Sequence, residues 1–459
     1  MEIREDENPA GPARPFRVGL ALAAGAPEGA IYEIGALRAL DEALDGLDLN
    51  NLYIYVGVSA GAFLCANLAN DLTTAQMCRA IVSMEPGEHP FIPETFLTPA
   101  VGRFLRSTTA LPGLVAESIW DYVTNLPQRR LLESLMRIGR ALPVGIFDNE
   151  PIRAYVQKIY SIKGRTDDFR QLGKRLVVVA TDLDSGHAMR FGEPGHDHIP
   201  ISRAVQASGA LPGLYPPVEI EGRHYVDGVL LKTLHASVAL EAGADLLICV
   251  NPIVPVDTIR AAEAGLLRRG NLTDRGLPAV LSQTFRTLVH SRLEVGMAAY
   301  EQKFRHADVV LVEPKRDDYL MFFTNIFGFA ERQAVCAHAY EATRRTLLER
   351  YDELAPIFAK HGITLRRDIL EERRDLWEGV GLPRKLAAPS KRQGTSGHAT
   401  VRQLDDALGR LERLLEGRSQ VTVPTAPEIP AEEPEEKIEL IVEASGEPIR
   451  RESAEEAPF

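Results

Sequence analysis

One pentapeptide limits the folds open to this chain more than any other feature. Gly57-Val58-Ser59-Ala60-Gly61 follows a short apolar run, Tyr53 to Val56, and precedes a helical pattern from about Ala60 to Ala69. A serine on a sharp strand-to-helix turn has its hydroxyl lifted clear of the sheet, and small neighbours are needed where the backbone is crowded. The helix that follows aims its first amides toward charge developing beside the serine. The pentapeptide alone is common in proteins. With strand, turn and helix in that order, it makes Ser59 a candidate nucleophile, with Gly57 and Gly61 as motif positions.

The flanking sequence is of the same kind. Arg17 to Ala24 is a continuous apolar run ending in Gly and Pro, as a buried parallel strand reads. Ile31, Ile34, Leu37, Leu40 and Leu44 then recur at helical spacing. Leu176 to Ala180 and Asp245 to Val250 read as further strands. Hairpins are expected about Asp184-Ser185-Gly186 and Glu221-Gly222, and helices from Ser202 and from His235 to Ala242. Strands alternating with helices predict an α/β fold with a mostly parallel sheet.

The rest of the chain is parsed around that core. Residues 1–16 read as a disordered leader and 17–255 as the catalytic domain. Within it, 86–145 forms a helical cap or insertion, rich in Pro and carrying Phe91, Phe96, Phe104 and Trp120. Residues 256–384 read as a helical C-terminal extension that includes the aromatic stretch Tyr319 to Phe329. Both apolar stretches suit either the core of a helical subdomain or a lipid-facing surface. A basic linker (385–400) leads to a short amphipathic helix (401–418), in which Val401, Leu404, Leu408, Leu411 and Leu415 alternate three and four apart. That helix is expected to pack on the body or on a twin chain, so a homo-oligomer is one expected assembly. Residues 419–459 form an acidic, disordered tail.

Composition narrows the partners. The formal net charge is -12, and from Thr425 onward eleven Glu face three Lys or Arg, which supplies most of it. No nucleic-acid partner is expected of such a chain. Four scattered cysteines without a CxxC pair argue against a disulfide framework and against zinc, so no metal and no cofactor are expected. The polar start lacks an apolar signal core, and no apolar run is long enough to span a bilayer. The cytoplasm is the default compartment, with any membrane contact peripheral.

Two further segments bear on chemistry. Ala24-Gly25-Ala26-Pro27-Glu28-Gly29 joins the first strand to the first helix and can present backbone N–H groups to an anion. Its glycine spacing does not fit a dinucleotide fingerprint, and a plain tight turn is the bland alternative. The serine turn one strand later favours an oxyanion hole. Asp227 ends the strand His224-Tyr-Val-Asp227 and precedes Gly228, at a strand carboxyl end where α/β sites collect. An Asp-Gly read alone is a turn. A buried carboxylate beside a serine hydroxyl can also take its proton directly. A Ser-Asp/Glu-His hydrolase fits less well, since only two strands precede Ser59 and the eleven histidines form no evident site.

In this order, the glycine-bearing loop, the serine turn and the Asp-Gly strand end resemble the patatin-like phospholipase family. Gly145-Ile-Phe-Asp148-Asn-Glu-Pro-Ile152, Ala180-Thr-Asp182-Leu-Asp-Ser-Gly186, Ala204-Val-Gln-Ala-Ser208-Gly-Ala-Leu-Pro212 and Ala242-Gly-Ala-Asp245 add to the resemblance, which covers about Arg17 to Pro252. It implies a three-layer sandwich and hydrolysis of lipid acyl esters through an acyl-enzyme on a Ser59–Asp227 dyad, without histidine or metal. It also implies an oxyanion hole from amides near Gly25, Ala26 and Ala60. The chain departs from the family where Gly-Gly-Gly-x-Arg/Lys-Gly is usual. Alanine stands at 24 and 26, Glu28 replaces the basic residue, and Val229 follows Asp227-Gly228. Alanine resists positive φ, and Glu28 places negative charge near an anionic site. Rival readings are an acyltransferase or an intracellular polyester depolymerase on the same dyad, and a catalytically weak lipid-binding or scaffold relative.

Overall fold

The computed structural model describes residues 16–82, 98, 144–263, 272–318 and 329–382. The expected leader, the cap except Thr98, Val144 and Gly145, nearly all of the Tyr319–Phe329 stretch, the linker, the 401–418 helix and the acidic tail lie outside the described residues. The described residues all belong to the first of the two units into which the chain divides, 1–404 and 405–459.

In chain order, β1 (Val18–Leu22) leads through a short loop to α1 (Ala26–Ala43), β2 (Leu44–Asp45), β3 (Ile54–Val58), α2 (Ala60–Ala69) and α3 (Thr74–Val82). After α4 (Glu150–Tyr160) come β4 (Arg175–Asp182), β5 (Ala188–Phe191), α5 (Ile201–Ser208), β6 (Val218–Ile220), β7 (Arg223–Asp227), α6 (Ser237–Glu241) and β8 (Leu246–Val250). The remainder is α7 (Thr258–Glu263), α8 (Leu277–Lys303), β9 (Asp308–Val312), α9 (Phe329–Glu349), α10 (Tyr351–Lys360), β10 (Thr364–Leu365), α11 (Arg367–Glu371) and α12 (Leu376–Gly379).

The main sheet runs β6-β7-β4-β3-β1-β8-β9, with β5 on the side of β4. β4, β3, β1, β8 and β9 pair in parallel, while β5, β6 and β7 are antiparallel. Every residue of β1, β3 and β8 is buried. That is why these strands read as unbroken apolar runs rather than alternating ones. Successive side chains point to opposite faces of a strand, so the sheet divides two cores. Leu20, Tyr55, Val178 and Ile248 pack with α1, α2, α5 and α9 on one face. Ala21, Val56, Val177 and Cys249 pack with α6 and α8 on the other. The result is a three-layer α/β sandwich with a mostly parallel sheet.

The two hairpins stand where the sequence put them. β4 and β5 pair around a turn closed by Asp182 N–H to His187 O. β6 and β7 join through Glu221 and Gly222, whose φ of 52° and 77° give the mirror-image turn that matches strand twist.

The segment expected to be a helical extension is mostly helical, but it also contributes β9 to the sheet edge beside β8. α9 lies along α1 so closely that a Cβ on Gly35 would sit 2.3 Å from the Cys336 carbonyl oxygen. Tyr340 ties the same two helices by donating to Glu42 at 2.5 Å. β10 pairs with β2. The C-terminal helices and strands therefore complete the core instead of hanging from it.

Candidate active site

The two candidate reactive residues meet because of how β4 is shared. β4 carries β5 on one edge, through Val178 to Thr181. On its other edge it carries β3 along Arg175 to Val179, then β7 along Ala180 to Asp182. Val58 lies opposite Val179, and Asp227 opposite Ala180. β3 running forward and β7 running backward thus end against each other, and Ser59 emerges beside Asp227.

Ser59 caps α2 with φ 54° and ψ -117°, outside the regions a non-glycine residue favours. Crowding holds it there. A Cβ on Gly57 would meet the Ala62 Cα at 2.4 Å, and one on Gly61 would meet the Leu22 carbonyl oxygen at 2.4 Å. The donors at this helix end can be counted. Ser59 N–H donates to Ser208 Oγ at 2.8 Å, and Ser208 in turn donates to Val179 O at 2.6 Å. Gly61 N–H donates to Ala23 O, and Ala62 N–H to Ser59 O. Ala60, the first helical residue, has no acceptor within the helix. Its N–H is the donor left for a ligand beside the serine.

The loop before α1 is built similarly. Ala24 N–H is held by Thr233 O, and Gly29 N–H closes the first turn on Gly25 O. A Cβ on Gly25 would lie 2.6 Å from both Gly29 Cα and Pro252 Cγ, so glycine is required by close approach. Ala26 adopts φ 53° despite its side chain, the left-handed shape that the sequence comparison had reserved for glycine. Gly25 and Ala26 stand at the cap and first position of α1, where N–H groups lack intrahelical acceptors.

Asp227 is buried at the end of β7. Burial pushes its carboxyl up to about 7, against the opposing effects of the Val229 N–H and the Ser59 hydroxyl, both within hydrogen-bonding reach. Val229 N–H donates to Oδ1 at 2.9 Å. Thr181 Oγ1 donates to the Asp227 carbonyl at 3.0 Å, and Asp227 N–H donates to Ala210 O. Behind the turn, buried His235 contacts the Gly228 carbonyl through Nε2 at 3.2 Å, and burial lowers its pKa to about 4. It is a neutral brace, and no histidine lines the cavity among the described residues.

Ser59, Ala60, Asp227 and the Ala24–Gly29 loop open on one cavity of about 230 Å³, room for the reacting end of a ligand rather than a few waters. Phe63, Ile152, Val205, Leu211, Leu214 and Ile253 make most of its wall apolar. Two charged residues also line it. Glu28 Oε2 lies 4.0 Å from Arg286 Nη2 of α8, and burial pushes the Glu28 carboxyl up to about 7 although Arg286 opposes the shift. The negative charge expected at residue 28 is therefore reduced near neutral pH. Nothing in the sequence pointed to Arg286, which is remote in the chain. Ser208 lay within a recognised stretch but had no assigned role. Among the described residues, no cluster of His, Cys, Asp or Glu could hold a metal ion, and no helix is long and apolar enough to cross a membrane.

Residues 20–240 match the sequence model of the family described as patatin-like phospholipase. Curated relatives include uncharacterized NTE family proteins of Mycobacterium bovis and Mycobacterium tuberculosis, each 34% identical over 98 residues, 21% of this chain. The alignment spans only 24% of those relatives' length. Among solved structures, VipD of Legionella pneumophila is 15% identical over 72% of this chain and 67% of its own, with a TM-score of 0.33. The type III effector ExoU of Pseudomonas aeruginosa is 17% identical over 89% of this chain and 66% of its own, with a TM-score of 0.30. The matched span runs from β1 into α6, and over that span the chain is similar to the patatin-like phospholipase family.

Proposed function

We propose that this chain hydrolyses lipid acyl esters through an acyl-enzyme, with Ser59 as nucleophile and Asp227 as its general base. The observation that carries this reading is the buried Asp227 carboxyl, raised to about 7, next to the hydroxyl of a serine held at φ 54°. A base with a pKa near the working pH is poised both to take and to return a proton.

Asp227 accepts the Ser59 proton as Oγ attacks the ester carbonyl. The oxyanion develops toward the Ala60 N–H and the Gly25 and Ala26 amides, at two helix N-termini whose dipoles favour negative charge. The ester C–O bond breaks, and Asp227 gives its proton to the departing alcohol. Water enters, loses a proton to Asp227 and attacks the acyl-enzyme, and the acid leaves as Ser59 Oγ is reprotonated. The largely apolar wall suits an acyl chain.

The test is fluorophosphonate labelling together with turnover of a short-chain nitrophenyl ester. Wild type should label and turn over, and Ser59→Ala should do neither. A folded Asp227→Asn should lose turnover. A folded wild type that neither labels nor hydrolyses would sink the proposal.

A further inference from the structure

We propose that Glu28 and Arg286 form a specificity site inside the Ser59 cavity that takes a hydroxyl group carried close to the scissile ester. The proposal deepens the hydrolase reading and rests on it for the position of the ester. The binding itself does not require turnover.

Glu28 is poorly satisfied as it stands. Glu28 Oε1 is enclosed and has no hydrogen-bond partner among the described residues. The nearest approach to Arg286, 4.0 Å, is beyond the 2.7–3.2 Å of a hydrogen bond. Burial of a charged pair costs free energy unless hydrogen bonds complete it. Both residues line the cavity, whose wall is otherwise largely apolar. Arg286 has five N–H donors in a fixed fork, so it can serve other partners and still offer one to a ligand.

The spacing selects the ligand chemistry. A single oxygen at about 2.8 Å from each charged atom fits between groups 4.0 Å apart. A hydroxyl donates its proton to the carboxylate and accepts from the guanidinium with a lone pair. An ammonium would face Arg286, and an anionic group would face Glu28 in its ionised state, like-charge contacts in an apolar setting. With its carboxyl near 7, Glu28 populates both protonation states at neutral pH. A hydroxyl serves either state, as donor to the carboxylate or acceptor from the acid. Glu28 lies in the first turn of α1 and lines the same cavity as Ser59, which places the hydroxyl near the reacting carbonyl. It can come from the acyl part, as in a hydroxyacyl ester, or from the alcohol part, as in a partial glyceride.

The experiment measures affinity by calorimetry in Ser59→Ala, which cannot turn over its ligand. Methyl 3-hydroxybutyrate against methyl butyrate tests the acyl source, and monobutyrylglycerol against ethyl butyrate tests the alcohol source. The hydroxylated member of one pair should bind at least about tenfold tighter, since a site built for a hydroxyl rejects the analogue lacking it. Adding Arg286→Met should bring that ratio within about twofold, and adding Glu28→Leu should do the same if the first double variant does not fold. No preference in either pair, no binding of either hydroxylated ester, or a preference that survives both substitutions would overturn the proposal. Failure of the hydrolase reading shows separately, as a wild type that is not labelled.

Discussion

Two strand-to-helix turns sit side by side at the carboxyl ends of β1 and β3, and each holds a non-glycine residue at positive φ by different means. Ser59 has φ 54° and Ala26 has φ 53°. At the Ser59 turn the shape is enforced from all sides, by Gly57 and Gly61 against neighbouring backbone and by Ser208 on the Ser59 amide. At the Ala26 turn Gly25 is held against the Gly29 backbone and the Pro252 side chain, and Gly29 against that same side chain, which can give. The first turn is over-determined and the second has slack. Strained residues persist where surroundings over-determine them, so the serine turn is the part that tolerates least change.

The largest break in the comparison comes from the base. Asp227→Asn should lower turnover by about 10²- to 10⁴-fold, read by steady-state kinetics. The same substitution should stabilise the fold at higher pH. The folded carboxyl titrates near 7 and the unfolded one near the usual 3.9. Its contribution to stability is therefore full below about pH 4 and lost as pH rises through 7. Thermal unfolding should show Asp227→Asn gaining on wild type between pH 5 and 8, by on the order of a few kcal/mol. Log kcat/KM of wild type should climb with pH and level off above about 7.

Gly61→Ala tests over-determination directly. Its Cβ meets backbone of β1 at 2.4 Å, with no flexible side chain to give way. A loss of about 3 kcal/mol in urea unfolding, or no folded protein, is expected. Ser208→Ala removes a positioning residue and leaves the Ser59 N–H and Val179 O without their partner. It should cost about 1–3 kcal/mol and lower kcat more than it changes KM. The smallest effect belongs to the slack turn. Ala26→Gly relieves left-handed strain of about 1–2 kcal/mol while freeing the unfolded chain, for a net gain of up to about 1 kcal/mol. A loss of stability there would show that Ala26 packs as tightly as Ser59.

The candidate site was legible in the sequence where its geometry is local. Gly57 and Gly61 are forced by atoms a few residues away or by the adjacent strand β1, and the Asp227-Gly228 strand end carries its own turn signal. Relations across the chain were not legible. Glu28 and Arg286 meet through the packing of α8 against the loop, which no spacing rule records. Ser208 acts by a hydrogen bond to a residue on another element. β9 escaped because Asp308 to Val312 is five residues long inside a helical context, and its edge position leaves Asp308, Val309 and Leu311 only half-buried. A short run of that kind carries no period to separate strand from helix.

The edge strand has a consequence for how the chain can be divided. β8 is five buried residues, Leu-Leu-Ile-Cys-Val, paired with β1 on one side and β9 on the other. A fragment ending at 255 would keep β8 and lose its outer partner, presenting a row of unpaired amides and carbonyls on an apolar strand. Such an edge templates pairing with another chain. The fragment ending at 255, without β9 and α9, is therefore expected to associate through β8, and a boundary beyond α12 keeps that edge paired.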